Sequence, residues 1–141
     1  MSIEQNKVTA GRWFFDIIAQ GQLEVADEIF AANHVIHDPH APPSGWPDGP
    51  EGLKMVASVF GGGFRDWQIT IEDQIAEGDR VASRWVASAT NTGPVMGMPA
   101  TGKTVHVTAI LKRTIMYASS ATHCKPQLIA CFTPVWILCS G

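Results

Sequence analysis

The chain of 141 residues carries 13 acidic and 10 basic residues, for a net charge of −3, and 45% of its residues are apolar. This length suffices for one well-filled core and is too short for two domains of ordinary size, so residues 1–141 are predicted to form a single domain. The small negative charge lacks the positive field that nucleic-acid binding requires. Neither a membrane-spanning apolar stretch nor an export signal is recognisable, so we expect a cytoplasmic protein with no membrane partner.

The cysteines do not indicate a disulfide framework. Cys124, Cys131 and Cys139 are odd in number and lack the C-x-x-C spacing of zinc and redox motifs. We therefore expect neither a structural zinc site nor a stabilising disulfide.

The first 30 residues have helical periodicity. Apolar residues between Ile3 and about Gln20 recur at spacings that gather them on one helix face. Gly21 is predicted to end this helix, and the same pattern in Leu23–Phe30 predicts a second one, with carboxylates on its solvent face. Together the two segments form a helical hairpin.

The next segment combines a short strand, a proline-rich connection and a third helix. His34–Asp38 contains β-branched residues and runs into Pro39, which favours a short strand. Pro39–Pro50 holds five of the nine prolines, so we expect a surface loop of fixed shape, at the mouth of a pocket. Helical spacing returns in Glu51–Phe60, and the glycines at 61–63 are predicted to end that helix in a left-handed conformation.

From Trp67 onward the periodicity changes to alternation. Two alternating segments separated by Glu77-Gly78-Asp79 predict an antiparallel hairpin. A third strand is predicted at residues 103–113, with one face formed by Val105, Val107, Ala109 and Leu111 and the other by Thr104, His106, Thr108 and Ile110. Helices followed by consecutive antiparallel strands indicate an α+β fold with separate layers.

Several short motifs carry a family resemblance. They are His37-Asp38-Pro39, Gly49-Pro50-Glu51-Gly52, Phe64-Arg65-Asp66, Ala76-Glu77-Gly78-Asp79-Arg80-Val81 and Gly97-Met98-Pro99-Ala100-Thr101-Gly102-Lys103. In this order the sequence resembles the SnoaL-like polyketide cyclase family, within the nuclear transport factor 2-like and ketosteroid isomerase-like superfamily, over about residues 5–113. The resemblance implies a cone-shaped α+β barrel, in which a curved antiparallel sheet carries the N-terminal helices on its concave face. It also implies a hydrophobic small-molecule ligand, a homodimer, and no metal or organic cofactor.

The chain departs from the family pattern in two places. Asn91 stands where relatives often have a histidine, and Thr114-Ile115-Met116-Tyr117 replaces the expected turn and carboxylate-bearing strand. No acidic residue follows Asp79, so residues 114–141 are a divergent segment. Either the coding frame of this tail differs from that of its relatives, or the final strand has diverged. Gln127–Leu138 is apolar enough for one or two strands.

Asp38 and His106 are the candidate catalytic residues. Asp38 occupies the His-Asp-Pro position of the family, and His106 lies on the less apolar face of its strand. An imidazole and a carboxylate in one apolar cavity can exchange protons near neutral pH. A cross-strand or subunit-surface position is the alternative for His106.

Four further residues are candidates for ligand binding: His37, Trp46, Trp85 and Asn91. The two tryptophans offer aromatic surface, and His37 lies at the expected rim of the pocket. The Asn91 amide can bond a ligand carbonyl or can cap the turn that follows it.

The histidines near Asp38 also raise the question of a metal site. His34, His37, Asp38 and His40 include good ligands for transition metals. Alternation along a strand directs His37 away from His34 and Asp38, however, so we expect no bound metal.

These observations favour a cofactor-independent cyclase or isomerase. Its substrate would be a hydrophobic polyketide- or steroid-like carbonyl compound, and its chemistry general acid/base proton transfer. The alternative is a non-catalytic module of the same fold that binds a hydrophobic ligand or serves in assembly, because one fold supports both kinds of function.

Overall fold

The computed structural model of the protein describes residues 2–38, 41–115 and 127–131. Helix α1 spans Ile3–Arg12 and continues as a π-helical segment, Trp13–Ile18; α2 spans Val25–Ile29 and α3 spans Pro50–Gly63. The Ser2 hydroxyl accepts a hydrogen bond from the Gln5 backbone, and the Gln5 side chain accepts one from the Ser2 backbone, so α1 begins with a capping box. Gly21 follows the long helical segment with a φ of 72°, as predicted for a residue that closes a helix.

Five strands form one sheet: β1 (Val35–His37), β2 (Phe64–Glu77), β3 (Arg80–Asn91), β4 (Thr104–Thr114) and β5 (Gln127–Cys131). The strand order is β1-β5-β4-β3-β2, and neighbours from β2 to β5 run antiparallel. Strand β1 pairs with β5 in parallel, an exception to the antiparallel pattern expected from the sequence. Strand β5 lies within the apolar segment predicted at 127–138, of which residues 132–138 lie outside the described residues.

The predicted left-handed ending of the third helix is wrong. Helix α3 includes all three glycines, and none of them has a positive φ. At Gly63 the absence of a side chain serves close packing instead, because a Cβ there would collide with the Val95 side chain. Gly93 likewise lies directly against the Gly62 carbonyl oxygen.

The core lies between the helices and one face of the sheet. Strand alternation gives this inner face Trp85 and Ala87 on β3 and Ala109 and Leu111 on β4, all buried. The main helical contributions come from Phe14, Ile17, Ile29 and Leu53. The predicted α+β architecture, with N-terminal helices on the concave face of a curved antiparallel sheet, is confirmed.

A buried arginine joins the helices to the sheet. Arg113, on the inner face of β4, is 2% exposed. Its Nη1 donates to the Thr9 carbonyl at 3.3 Å and its Nη2 donates to the Ile29 carbonyl, so one guanidinium bonds both α1 and the last residue of α2. The guanidinium carbon also lies 3.9 Å from the centroid of the Phe30 ring, a cation–π contact.

A buried histidine also packs against Phe30. His34 is 1% exposed, and its ring centroid is 5.0 Å from that of Phe30 in an edge-on arrangement. Burial, with smaller contributions from the charges of Arg113 and His37, lowers the pKa of His34 from 6.5 to about 4. The imidazole is therefore neutral at neutral pH.

Among the described residues, no helix combines the length and apolarity that crossing a membrane demands.

The low pKa of His34 predicts a loss of stability in mild acid. The unfolded chain binds a proton near pH 6.5 and the folded chain only near pH 4, so the free energy of unfolding falls as the pH drops from 6.5 toward 4. The full effect is about 3 kcal/mol. Urea unfolding at pH 7.5 and pH 4.5 should show that the His34→Phe variant loses about 2 to 3 kcal/mol less than the parent between the two pH values. Equal losses would show that His34 is not buried in its neutral form.

Candidate functional site

The inner face of β1 carries three successive side chains at alternate positions. His34, Ile36 and Asp38 share this face, and Ile36 packs against the core cluster. His34 is fully buried and Asp38 is half-buried. Since they are four residues apart on extended backbone, about 13 Å separates their Cα atoms. A titratable group thus lies at each end of one apolar strand.

The proline-rich loop brings Trp46 onto Asp38. The indole Nε1 of Trp46 donates a hydrogen bond to Asp38 Oδ2 at 3.2 Å. Trp46 is half-buried and also packs against the core cluster. The hydrogen bond fixes the orientation of the carboxylate, and the ring covers it with apolar surface. Two of the predicted site residues are therefore in direct contact.

Two glycines of the Gly49-Pro50-Glu51-Gly52 motif hold this loop against β1. Gly49 has a φ of 75° and donates its backbone N–H to the His34 carbonyl at 2.6 Å. A Cβ on Gly52 would collide with the Pro47 carbonyl and would lie 3.0 Å from the Ile36 side chain. The first turn of α3 can therefore lie close to β1 and to the loop that carries Trp46.

Aromatic rings line the apolar interior. Trp85 is 9% exposed on β3, with its ring centroid 5.2 Å from that of Phe14. Trp67 is half-buried, and its ring contacts Phe60 and Phe64 at centroid distances of 6.4 and 5.6 Å. Trp85 was predicted as a site residue and Trp67 was not, although the alternation of β2 directs Trp67 to the same face.

The structure does not bring His106 to Asp38. His106 is exposed and pairs with Ser88 across the outer face of the sheet, whereas its neighbours Val105 and Val107 point inward. Strand alternation places it on the face opposite to the core. This corrects the predicted pairing of the two residues within one cavity and leaves His106 in its alternative position, on the sheet surface.

The Asn91 amide is occupied by the protein itself. Asn91 is 7% exposed, and its Nδ2 donates to the carbonyls of Gly63 and Gly93, each at 2.9 Å. Its Oδ1 accepts from the Thr101 backbone at 2.7 Å and from the Thr101 hydroxyl at 3.1 Å. All four hydrogen-bonding positions of the amide are used. Asn91 therefore ties the end of α3 to the connection between β3 and β4, the capping alternative considered above.

The remaining predicted residues lie away from the inner face. His37 is exposed and alternates with Ile36, so its side chain leaves the sheet on the other side. In the parts of the chain that the structure describes, no three His, Cys, Asp or Glu side chains are grouped as metal ligands would be. His40 lies outside those parts.

Two interior residues, His34 and Arg113, were not predicted as site residues, although strand alternation indicates an inward position for both. His34 lies on the face of Asp38, two alternations earlier along the chain. Arg113 continues the inward series of Ala109 and Leu111 on β4. When the alternation is extended to the ends of each strand, it predicts that both side chains point to the inner face of the sheet.

Comparisons with known proteins agree with this geometry. The family model described as SnoaL-like polyketide cyclase matches residues 8–114, more than half of the chain. TsrD from Streptomyces laurentii superimposes with a TM-score of 0.72 at 19% identity, covering 92% of this chain and 90% of its own. A candidate SnoaL-like polyketide cyclase from Jannaschia sp. CCS1 gives 0.71 at 21% identity, covering 92% and 88%.

IdmH from Streptomyces antibioticus, named as a candidate polyketide cyclase, gives a TM-score of 0.64 at 29% identity, with 89% of this chain and 91% of IdmH covered. No curated protein matches the chain significantly. The family match ends at the residue where the sequence leaves the family pattern. With its helices, sheet and motifs in the family order, the chain belongs to the SnoaL-like polyketide cyclase family.

Proposed function

We propose that the protein is a cofactor-independent cyclase or isomerase for a hydrophobic polyketide- or steroid-like carbonyl compound, with Asp38 as the proton acceptor. The contact between Asp38 and Trp46 carries this proposal. It gives a half-buried carboxylate a fixed orientation, at the edge of an apolar interior with aromatic walls. A carboxylate so placed can act as a general base on a bound apolar ketone.

The proposed reaction begins with proton transfer to the Asp38 carboxylate. The proton leaves the carbon next to the substrate carbonyl, and the electron pair of the broken C–H bond moves onto the carbonyl oxygen as an enolate. In an isomerisation the carboxylic acid of Asp38 returns the proton to another carbon of the same system. In a cyclisation the enolate carbon bonds to a second carbonyl carbon, and the resulting alkoxide takes the proton. Both outcomes balance without an oxidant or a reductant.

The distribution of carboxylates supports Asp38 over other acids. Because no Asp or Glu follows Asp79, strands β3, β4 and β5 contribute no carboxylate to the interior. Asp38 is thus the acid that combines the inner face, partial burial and contact with an aromatic ring.

A second candidate function is ligand binding without turnover. It is favoured by the absence of the late-strand carboxylate that the family resemblance implies, since residues 80–141 contain no Asp or Glu. Under this alternative Asp38 would serve only to position Trp46 at the entrance to the interior.

Exchange of α-hydrogens separates the two functions without knowledge of the natural substrate. 2-Tetralone in D₂O, followed by NMR, reports enolisation directly. We expect the parent protein to accelerate the exchange and Asp38→Asn to lower the rate by about a hundredfold, because the amide cannot accept the proton. The matched control is Asp73→Asn, the same change at an exposed position on the outer side of β2, which should leave the rate unchanged.

Two results would count against the catalytic proposal. Exchange by Asp38→Asn at the parent rate would remove Asp38 as the base. Binding of 2-tetralone by the parent, with no exchange above the buffer rate, would favour the non-catalytic module.

We also propose that the protein is a homodimer joined through the outer face of the sheet. This face presents short, mostly β-branched side chains at Val86, Ser88, Thr90 and Thr108, beside Ile110, which is 50% exposed. A sheet face with short side chains of this kind suits packing against a second sheet.

Light scattering at micromolar concentration should therefore give the mass of a dimer. Ile110→Lys should give a monomer, because the interface would bury a second positive charge directly opposite Arg84. The control Val8→Lys, on the exposed side of α1, should remain dimeric. A monomeric parent would contradict the proposal.

A further inference from the structure

His34 is a buried polar residue whose ring packs against Phe30 but whose Nε2 takes part in none of the hydrogen bonds described above. It is 1% exposed, and its Nε2 has no hydrogen-bond partner among the described residues. Leaving such an atom unpaired in a protein interior costs free energy, and most buried polar atoms do have a partner. The main-chain groups of His34 hold the loop through Gly49, and that tie does not need the imidazole. A phenylalanine would fill the same space, so packing alone does not account for the ring nitrogen.

The surroundings of His34 define the chemistry of a group that could pair with it. The imidazole lies at the edge of the Phe30 ring, and the Arg113 guanidinium lies over the same ring. The site is thus apolar, with a fixed positive charge near it and a neutral imidazole within it. Such an environment favours an uncharged or electron-rich oxygen over a cationic group.

The position of His34 relative to Asp38 defines the shape of the ligand. Both lie on the inner face of β1, separated by about 13 Å and by the apolar side chain of Ile36. We propose that His34 Nε2 is the inner anchor of the substrate site, forming a hydrogen bond with a hydroxyl or carbonyl oxygen at the far end of an elongated, rigid, apolar ligand. The opposite end of that ligand, with its reactive carbon, lies at Asp38. This inference rests on the proposed function and extends it by naming the substrate class: fused or linked rings with an oxygen at each end.

The test compares two probes that have the same shape and differ in one group. 4-Hydroxybiphenyl carries a hydroxyl, which can donate or accept and so suits either tautomer of His34; 4-methylbiphenyl carries a methyl group in its place. Titrations followed by fluorescence should show that the parent binds the hydroxyl probe about tenfold more tightly than the methyl probe. His34→Phe should bind both probes alike, with its affinity for the methyl probe at least equal to that of the parent. In the parent, the ¹⁵N resonance of His34 Nε2 should shift on addition of the hydroxyl probe.

The control is Trp67→Phe, which removes a buried N–H elsewhere in the interior that likewise has no hydrogen-bond partner among the described residues. This variant should keep the preference for the hydroxyl probe. A preference that survives in His34→Phe, or that disappears in Trp67→Phe alone, would overturn the assignment of His34 while leaving the proposed function intact. If the parent binds neither probe, both the anchor and the proposed apolar site are refuted.

Discussion

The guanidinium of Arg113 is the interaction on which the arrangement of the interior depends. A buried cation is tolerated only where polar groups surround it, and here those groups are the carbonyls of α1 and α2. The Ile29 carbonyl ends α2, where the helix presents its negative pole. By bonding two helices from a strand, Arg113 sets the spacing between the helical layer and the sheet. It also places Phe30 against His34.

Strand alternation decides which side chains this interior contains. Arg113 and His106 lie on the same strand, seven residues apart, so they leave the sheet on opposite faces. The same rule groups His34 with Asp38 and directs His37 away from both. The inward-facing side chains described here therefore come from β1 and from the aromatic residues of β2 and β3. Because strands β3, β4 and β5 contribute no carboxylate, the proposed proton transfer depends on Asp38 beside β1.

The elements set by local periodicity could be predicted from the sequence: the helices, the β2–β3 hairpin at Gly78 and the faces of β4. Features that depend on contacts between distant parts of the chain could not be predicted in this way. The three glycines at the end of α3 indicated a left-handed helix end, but the last of them, Gly63, serves the close approach of Val95. The parallel pairing of β1 requires knowledge of where β5 inserts.

The candidate site residues also fall into two groups: those whose positions the sequence predicted and those whose positions depend on distant parts of the chain. Asp38 and Trp46 were identified from a motif and a loop, and they lie in contact. His106 and Asn91 were chosen by residue type, and the register of β4 and the turn after β3 give them surface and structural positions instead. His34 shares the inward face of Asp38 by strand alternation, a pattern that the choice of site residues did not use.

The central claim is that an apolar ligand lies along the inner face of β1, between Asp38 and His34. A crystal structure of the protein with bound 4-hydroxybiphenyl tests it most directly. We expect the two rings to lie against Ile36, with the hydroxyl within hydrogen-bonding distance of His34 Nε2 and the other ring beside Asp38 and Trp46. Density for the ligand on the outer face of the sheet beside His106, with none along the inner face of β1, would contradict the claim.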